Sequence, residues 1–141
     1  MAKRQLIKVV LDTSVLLSSE RRPLLFLAAQ NVYKIVWSQY IIDELRRKFL
    51  EIGWSKAKSE PLFDAILELA EVVDHTQITG GNYDQWLHDL DDHPIMATAI
   101  AGRVEYLVTW NIHDFPPKLR FAGITIITPD VFLKRFGVSN E

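Results

Sequence analysis

The chain has 141 residues, 48% hydrophobic and 24% charged, with a formal net charge of −2 and no cysteine. That length suits one domain with a real core, in a composition ordinary for a soluble globular protein, and no apolar run approaches the roughly 20 residues of a membrane span. The charge balance argues against a histone-like nucleic-acid binder, and the missing cysteine excludes a disulfide framework, a thiolate zinc site and a Cys nucleophile.

The basic start, Met1 to Gln5, leads into a short strand rather than a signal-peptide core, so a cytoplasmic protein is expected. Leu6–Leu11 is apolar and β-branched, the pattern of a central strand covered on both faces. Asp12-Thr13-Ser14 follows, with Ser14 able to cap a short helix through Val15-Leu16-Leu17. Pro23 suits the first turn of a helix running to about Gln30. Lys34–Trp37 reads as a second strand. Ser38 then caps a helix whose apolar stripe is Ile41, Ile42, Leu45, Phe49 and Ile52, with Glu44 beside that stripe. Gly53-Trp54-Ser55 breaks or bends the chain, and Pro61 starts or kinks another helix carrying Phe63 and Ile66.

A third strand is expected within Val72–Ile78, followed by a loop at Thr79-Gly80-Gly81-Asn82. Asp91-Asp92-His93-Pro94 opens a helix whose Ala97, Ala99, Ala101 and Gly102 permit close packing on a sheet. Strands at Tyr106–Thr109 and Ile124–Ile127 come next, and Thr128-Pro129-Asp130 begins a terminal helix. Strand and helix alternate throughout. The expected fold is therefore α/β, a three-layer α/β/α sandwich on a central, mainly parallel sheet, in a single domain over residues 1–141.

In an open parallel sheet, ligands bind beyond the carboxyl ends of the strands. Asp12 and Asp114, with Thr13, Ser14 and Asn111, all fall on that side, and Glu44 and the pair Asp91/Asp92 sit near helix starts that point to the same edge. Acids gathered at one edge repel each other, and a divalent cation is the usual reason to keep them together. Oxygen ligands without Cys suit Mg²⁺ or Mn²⁺. Each acid also has an ordinary structural role open to it. Asp91 or Asp92 suits a helix N-cap, Glu44 a dipole-favoured acid in the first turn of a helix, and Asp114 an Asx-turn. Asp12, after six strand residues and before a tight turn, is the hardest to explain that way.

Val9-Val10-Leu11-Asp12-Thr13-Ser14-Val15-Leu16 resembles the N-terminal signature of PIN domains. Ser38 to Leu45 is similar to their second motif, Leu90 to Ala99 to the third, and Leu107 to Phe115 to the fourth, with Ile127 to Leu133 like the usual ending. The resemblance spans about Lys8 to Phe136. It implies a PIN-like domain acting as a Mg²⁺- or Mn²⁺-dependent endoribonuclease of the VapC-like toxin type, paired with an antitoxin protein and homodimeric. It makes Asp92 the principal acid of the third motif, with Asp91 sharing the metal or capping the helix. On this reading Asp12, Glu44, Asp92 and Asp114 are the catalytic, metal-holding set. Thr13, Ser14 and Thr109 would hydrogen-bond phosphate or a ligand carboxylate, and Asn111 would orient Asp114.

Two rivals stay open: a PIN-fold binding module that has lost catalysis, and a PIN nuclease acting in RNA processing or on DNA. The basic groups Arg21-Arg22, Arg46-Arg47-Lys48 and Lys56/Lys58 read either as solvated helix faces or as a local surface for nucleic acid. Trp110 would pack against a neighbour or stack on a base.

Overall fold

The computed structural model describes residues 6–77, 93–115 and 123–137. Its centre is a five-stranded, all-parallel sheet in the order β3-β2-β1-β4-β5, with six α-helices among the described residues completing a three-layer α/β/α sandwich. The strands are β1 (Lys8–Leu11), β2 (Lys34–Trp37), β3 (Ala70–Val72), β4 (Tyr106–Val108) and β5 (Thr125–Ile127). The helices are α1 (Thr13–Leu16), α2 (Arg21–Ala29), α3 (Gln39–Glu51), α4 (Lys56–Leu69), α5 (His93–Ala101) and α6 (Pro129–Phe136). Among the described residues, no helix is long and apolar enough to cross a membrane.

β1 is the central strand because its residues tolerate burial on both faces. Val9, Val10 and Leu11 are wholly buried, and Val9 stands in register with Ile35 on one side and Tyr106 on the other. Each such aliphatic side chain contributes about 1.5–3 kcal/mol when removed from water. From β1 the chain proceeds to β2 on one side and later returns to β4 on the other. The order of the sheet therefore switches between β1 and β4, which opens a crevice at their carboxyl ends.

Several expected boundaries move, beginning with α1, which Asp12 rather than Ser14 caps. The third strand runs Ala70–Val72, ahead of the stretch 72–78 in which it was expected, because α4 passes straight into it. Its pairing with β2 reaches Val73, whose N–H meets the Trp37 carbonyl at 2.8 Å, before a 3-10 turn at His75–Gln77 ends it. Pro61 neither starts α4 nor sits at its edge. Ser55 caps that helix, accepting from the Lys58 N–H at 3.1 Å, and Pro61 lies inside it.

Ser38 does cap α3, with the Ile41 N–H 3.5 Å from its oxygen. The Thr98 hydroxyl lies 2.7 Å from that same oxygen and 2.7 Å from the Pro94 carbonyl. The start of α3 is thereby tied to α5, and both helices begin at the carboxyl edge of the sheet.

At the far end of α5, Gly102 lies close against Val36 of β2. A Cβ there would sit 2.4 Å from Cγ1 of Val36, which is wholly buried and has nowhere to move. Gly102→Ala is expected to destabilise the fold by about 1–3 kcal/mol through overpacking, measured as a lower denaturant midpoint with unchanged slope.

Candidate active site

Asp12 is the first residue past β1. Its N–H still pairs with the Val108 carbonyl at 3.0 Å, so the residue is fixed to β4 as the strand ends. It then serves as N-cap of α1, and only 4% of it is exposed. Its carboxylate accepts from three donors and keeps further acceptor capacity. Oδ1 accepts from the Thr13 N–H at 2.7 Å, and Oδ2 accepts from the Ser14 hydroxyl at 3.1 Å and the Thr109 hydroxyl at 2.8 Å.

Those two hydroxyls also receive the loop that follows β4. Thr109 Oγ1 accepts from the Asn111 N–H at 2.9 Å, and Ser14 Oγ from the Trp110 N–H at 3.3 Å. The Asn111 carbonyl accepts from the Asp114 N–H at 3.0 Å, which places Asp114 in the 3-10 turn Ile112–Asp114 with buried Phe115 as its anchor. Backbone orientation thus passes from Asp12 through Thr109 to the turn that carries Asp114. Asn111 acts here through its backbone and makes no side-chain cap.

Glu44 reaches the same crevice from the first half of α3. Its Oε1 accepts from the Thr13 hydroxyl at 2.7 Å and its Oε2 from the Tyr40 hydroxyl at 3.3 Å. The Thr13 hydroxyl has one proton, and the short contact assigns it to Glu44; its 3.5 Å approach to Asp12 is only a contact. Thr13 therefore holds both acids, one through its N–H and one through its hydroxyl. Tyr40 is a site residue that the sequence reading passed over. Its position one helical turn before Glu44 was the available signal.

The expected auxiliary residues Thr13, Ser14 and Thr109 are thus spent on positioning carboxylates. Asp12 and Glu44 come together, and the turn bearing Asp114 is tied to them through backbone. Among the described residues no three or more acids or histidines gather into a ready ligand cluster. Asp91 and Asp92, expected to supply the third motif's ligand, lie outside the described residues.

Burial raises the Asp12 pKa above its ordinary value; the bonds from Thr109, Ser14 and Thr13 oppose this, and the Glu44 charge adds to it. None of Asp12, Glu44 or Asp114 has a Lys or Arg partner among the described residues. A buried carboxylate beside a second one, with no basic side chain to neutralise either, is a hard-oxygen donor set that fits Mg²⁺ or Mn²⁺.

Thr109 is the joint of the arrangement, donating to Asp12 while accepting from the loop. Thr109→Val removes both bonds and should lower metal-dependent activity roughly 10–100-fold, whereas Thr109→Ser should keep most of it. Steady-state kinetics of the two variants side by side make the comparison.

An acidic crevice at the order switch of a parallel α/β sheet is a place where a divalent cation and an anionic ligand can bind. Comparison with known proteins narrows the chemistry. A PIN domain model matches residues 8–113, a span that takes in Asp12, Glu44, Asp91 and Asp92 and stops one residue short of Asp114. The chain belongs to the PIN domain family, whose members are generally nucleases using divalent metals. Among solved structures it is similar to the crystal structure of PAE2754 from Pyrobaculum aerophilum. The two share 16% identity over 94% of this chain and 91% of that one, with a TM-score of 0.54, a likeness of fold. The search of curated protein sequences gives no match.

Proposed function

We propose that this protein is a Mg²⁺- or Mn²⁺-dependent endoribonuclease, the toxin of a toxin–antitoxin pair. The observation that carries the metal-dependent chemistry is the Asp12–Glu44 pair, joined by Thr13 at the switch point and free of any basic partner among the described residues. Family membership supports cleavage of a phosphodiester, and the resemblance of the sequence motifs to VapC-like toxins is what implies the toxin assignment, its antitoxin partner and a homodimer.

Asp12, Glu44, Asp92 and Asp114 would hold the ion. When bound, it supplies Lewis acidity that makes water nucleophilic at neutral pH and offsets charge on the phosphodiester oxygens. The chain's own part is preorganisation. Thr109 and Ser14 keep the Asp12 carboxylate in one orientation, and Thr13 with Tyr40 does the same for Glu44. Burial of Asp12 keeps bulk water away from one side of the site and strengthens its charge there.

Purified protein incubated with single-stranded RNA and Mg²⁺ or Mn²⁺ should cleave internally, and EDTA should stop it. Faster cleavage of DNA would transfer the reading to a DNA nuclease. No heat of Mn²⁺ binding and no cleavage would leave a binding module. Induced expression should arrest growth and be relieved by Asp92→Asn or by the neighbouring antitoxin gene; arrest that Asp92→Asn leaves intact speaks against the toxin assignment.

A further inference from the structure

The three basic groups of the sequence lie on separate elements, and the fold gathers Arg21, Lys58 and Phe49, the neighbour of Lys48, around the Trp54 ring. Arg21 opens α2, and its Nη1 donates to the Leu16 carbonyl at 2.9 Å, at the end of the short helix that Asp12 caps. Its guanidinium carbon lies 5.8 Å from the Phe49 ring centroid and 5.2 Å from that of Trp54. The Lys58 ammonium lies 4.3 Å from the same Trp54 ring, which places the two cations within about 10 Å of each other. Lys48 stands one turn beyond Glu44 on α3, the spacing at which Glu and Lys ordinarily pair. Here the Glu44 oxygens are taken by Thr13 and Tyr40, and Lys48 forms no ion pair among the described residues.

Two neighbouring cations of this surface are neutralised and these are not. Arg46 pairs with Glu60 and Arg47 with Glu51, whereas Arg21, Arg22, Lys48 and Lys58 have no acidic partner among the described residues. Burial, and then the adjacent Arg22 charge, lowers the Arg21 pKa. The Leu16 bond and the ring contacts compensate Arg21 and Lys58 in part, yet the two like charges flank one ring with no acid paired to either among the described residues. An anion running along them supplies the missing countercharge.

We propose that Lys48, Arg21, Arg22 and Lys58 form a track for the phosphodiester backbone of single-stranded RNA, leading away from the Asp12–Glu44 crevice. The track reads phosphate and not sequence. Trp54, the aromatic group within it, is stacked on Phe49 at 4.4 Å and flanked by two cations, so it is occupied and not free for a base. This inference rests on the nuclease reading for its substrate, and its test does not depend on cleavage.

The test is anisotropy of a short labelled single-stranded RNA titrated with the full-length protein in EDTA across a KCl series. Lys48→Gln, Arg22→Gln and Lys58→Gln are compared singly and together, with circular dichroism confirming the fold. Each lost phosphate contact should reduce the slope of log K against log salt by about 0.7, and the triple variant by roughly 2, equally for RNAs of different sequence. In the metal-loaded enzyme the same variants should raise KM with little change in kcat. Unchanged affinity and slope would overturn the track, as would wild type that binds no RNA. So would variants that lose polyglutamate but keep RNA, since the face would then serve an acidic protein. Wild type that binds with this slope yet never cleaves refutes the nuclease and leaves the track standing.

Discussion

Asp12→Asn is expected to abolish metal-dependent cleavage, by about 10²–10³-fold or more, while leaving the fold intact. The side chain keeps its size, and one oxygen can still accept from the Thr13 N–H. What disappears is the negative charge at the base of the crevice, between β1 and β4, and with it the central hard ligand. The opposite effect is expected on the metal-free fold. Burial raises the Asp12 pKa in the folded state above its unfolded value, so the folded protein binds the proton more tightly. Stability from this group is then fullest below the ordinary carboxyl range and falls as pH rises through the raised value. Asn carries no such penalty. Without metal at neutral pH, the variant should melt at or above the wild-type temperature, and the difference should vanish in acid. With Mn²⁺ added, the wild type should gain melting temperature with concentration and the variant should not. Thermal melts with and without EDTA, run beside the cleavage assay, check both halves. A variant that unfolds, or one that cleaves normally, would sink the assignment.

Phe132→Ala should carry the largest stability loss, about 3–5 kcal/mol. Phe132 is wholly buried on α6, edge-on to Tyr33 at 5.3 Å and to Tyr106 at 5.8 Å, and 4.8 Å from Phe136. Tyr33 cannot close the gap left behind, because its hydroxyl is fixed to the Leu24 carbonyl at 2.6 Å. The cavity would therefore persist at the junction of α2, α6 and β4. For a chain of this size the loss corresponds to a fall in melting temperature of roughly 10–20 °C. Phe132→Leu should lose appreciably less. The crevice lies at the carboxyl ends of β1 and β4, away from this cluster, so below its melting point Phe132→Ala should retain most of its activity. Loss of activity without loss of stability would refute that separation.

Much of this was legible along the chain because the signals are local. A β-branched run ending in Asp12 is both a buried strand and its own terminus. Ser38 before Gln39 and the stripe from Ile41 to Phe49 specify a capped amphipathic helix without outside help. The strand at Ala70–Val72 was misplaced for a corresponding reason. Ala70 and Glu71 carry no strand preference, and only pairing with Ile35 and Val36 of β2 makes them extended.

The sequence by itself determined the fold class and the family, since both depend on residue types at short spacing, and it singled out Asp12 and Glu44, which Thr13 joins in the structure. Tertiary structure alone decided their partners. Thr13, Ser14 and Thr109 were equally good as phosphate ligands or as supports, and the choice followed from β1 and β4 lying side by side with residues 97 positions apart in contact. The same holds for Tyr40 on Glu44 and for the cations around Trp54. A hydroxyl or an ammonium has no fixed role until long-range packing sets which charge lies within hydrogen-bond reach, and that distance is not written in any local window of the chain.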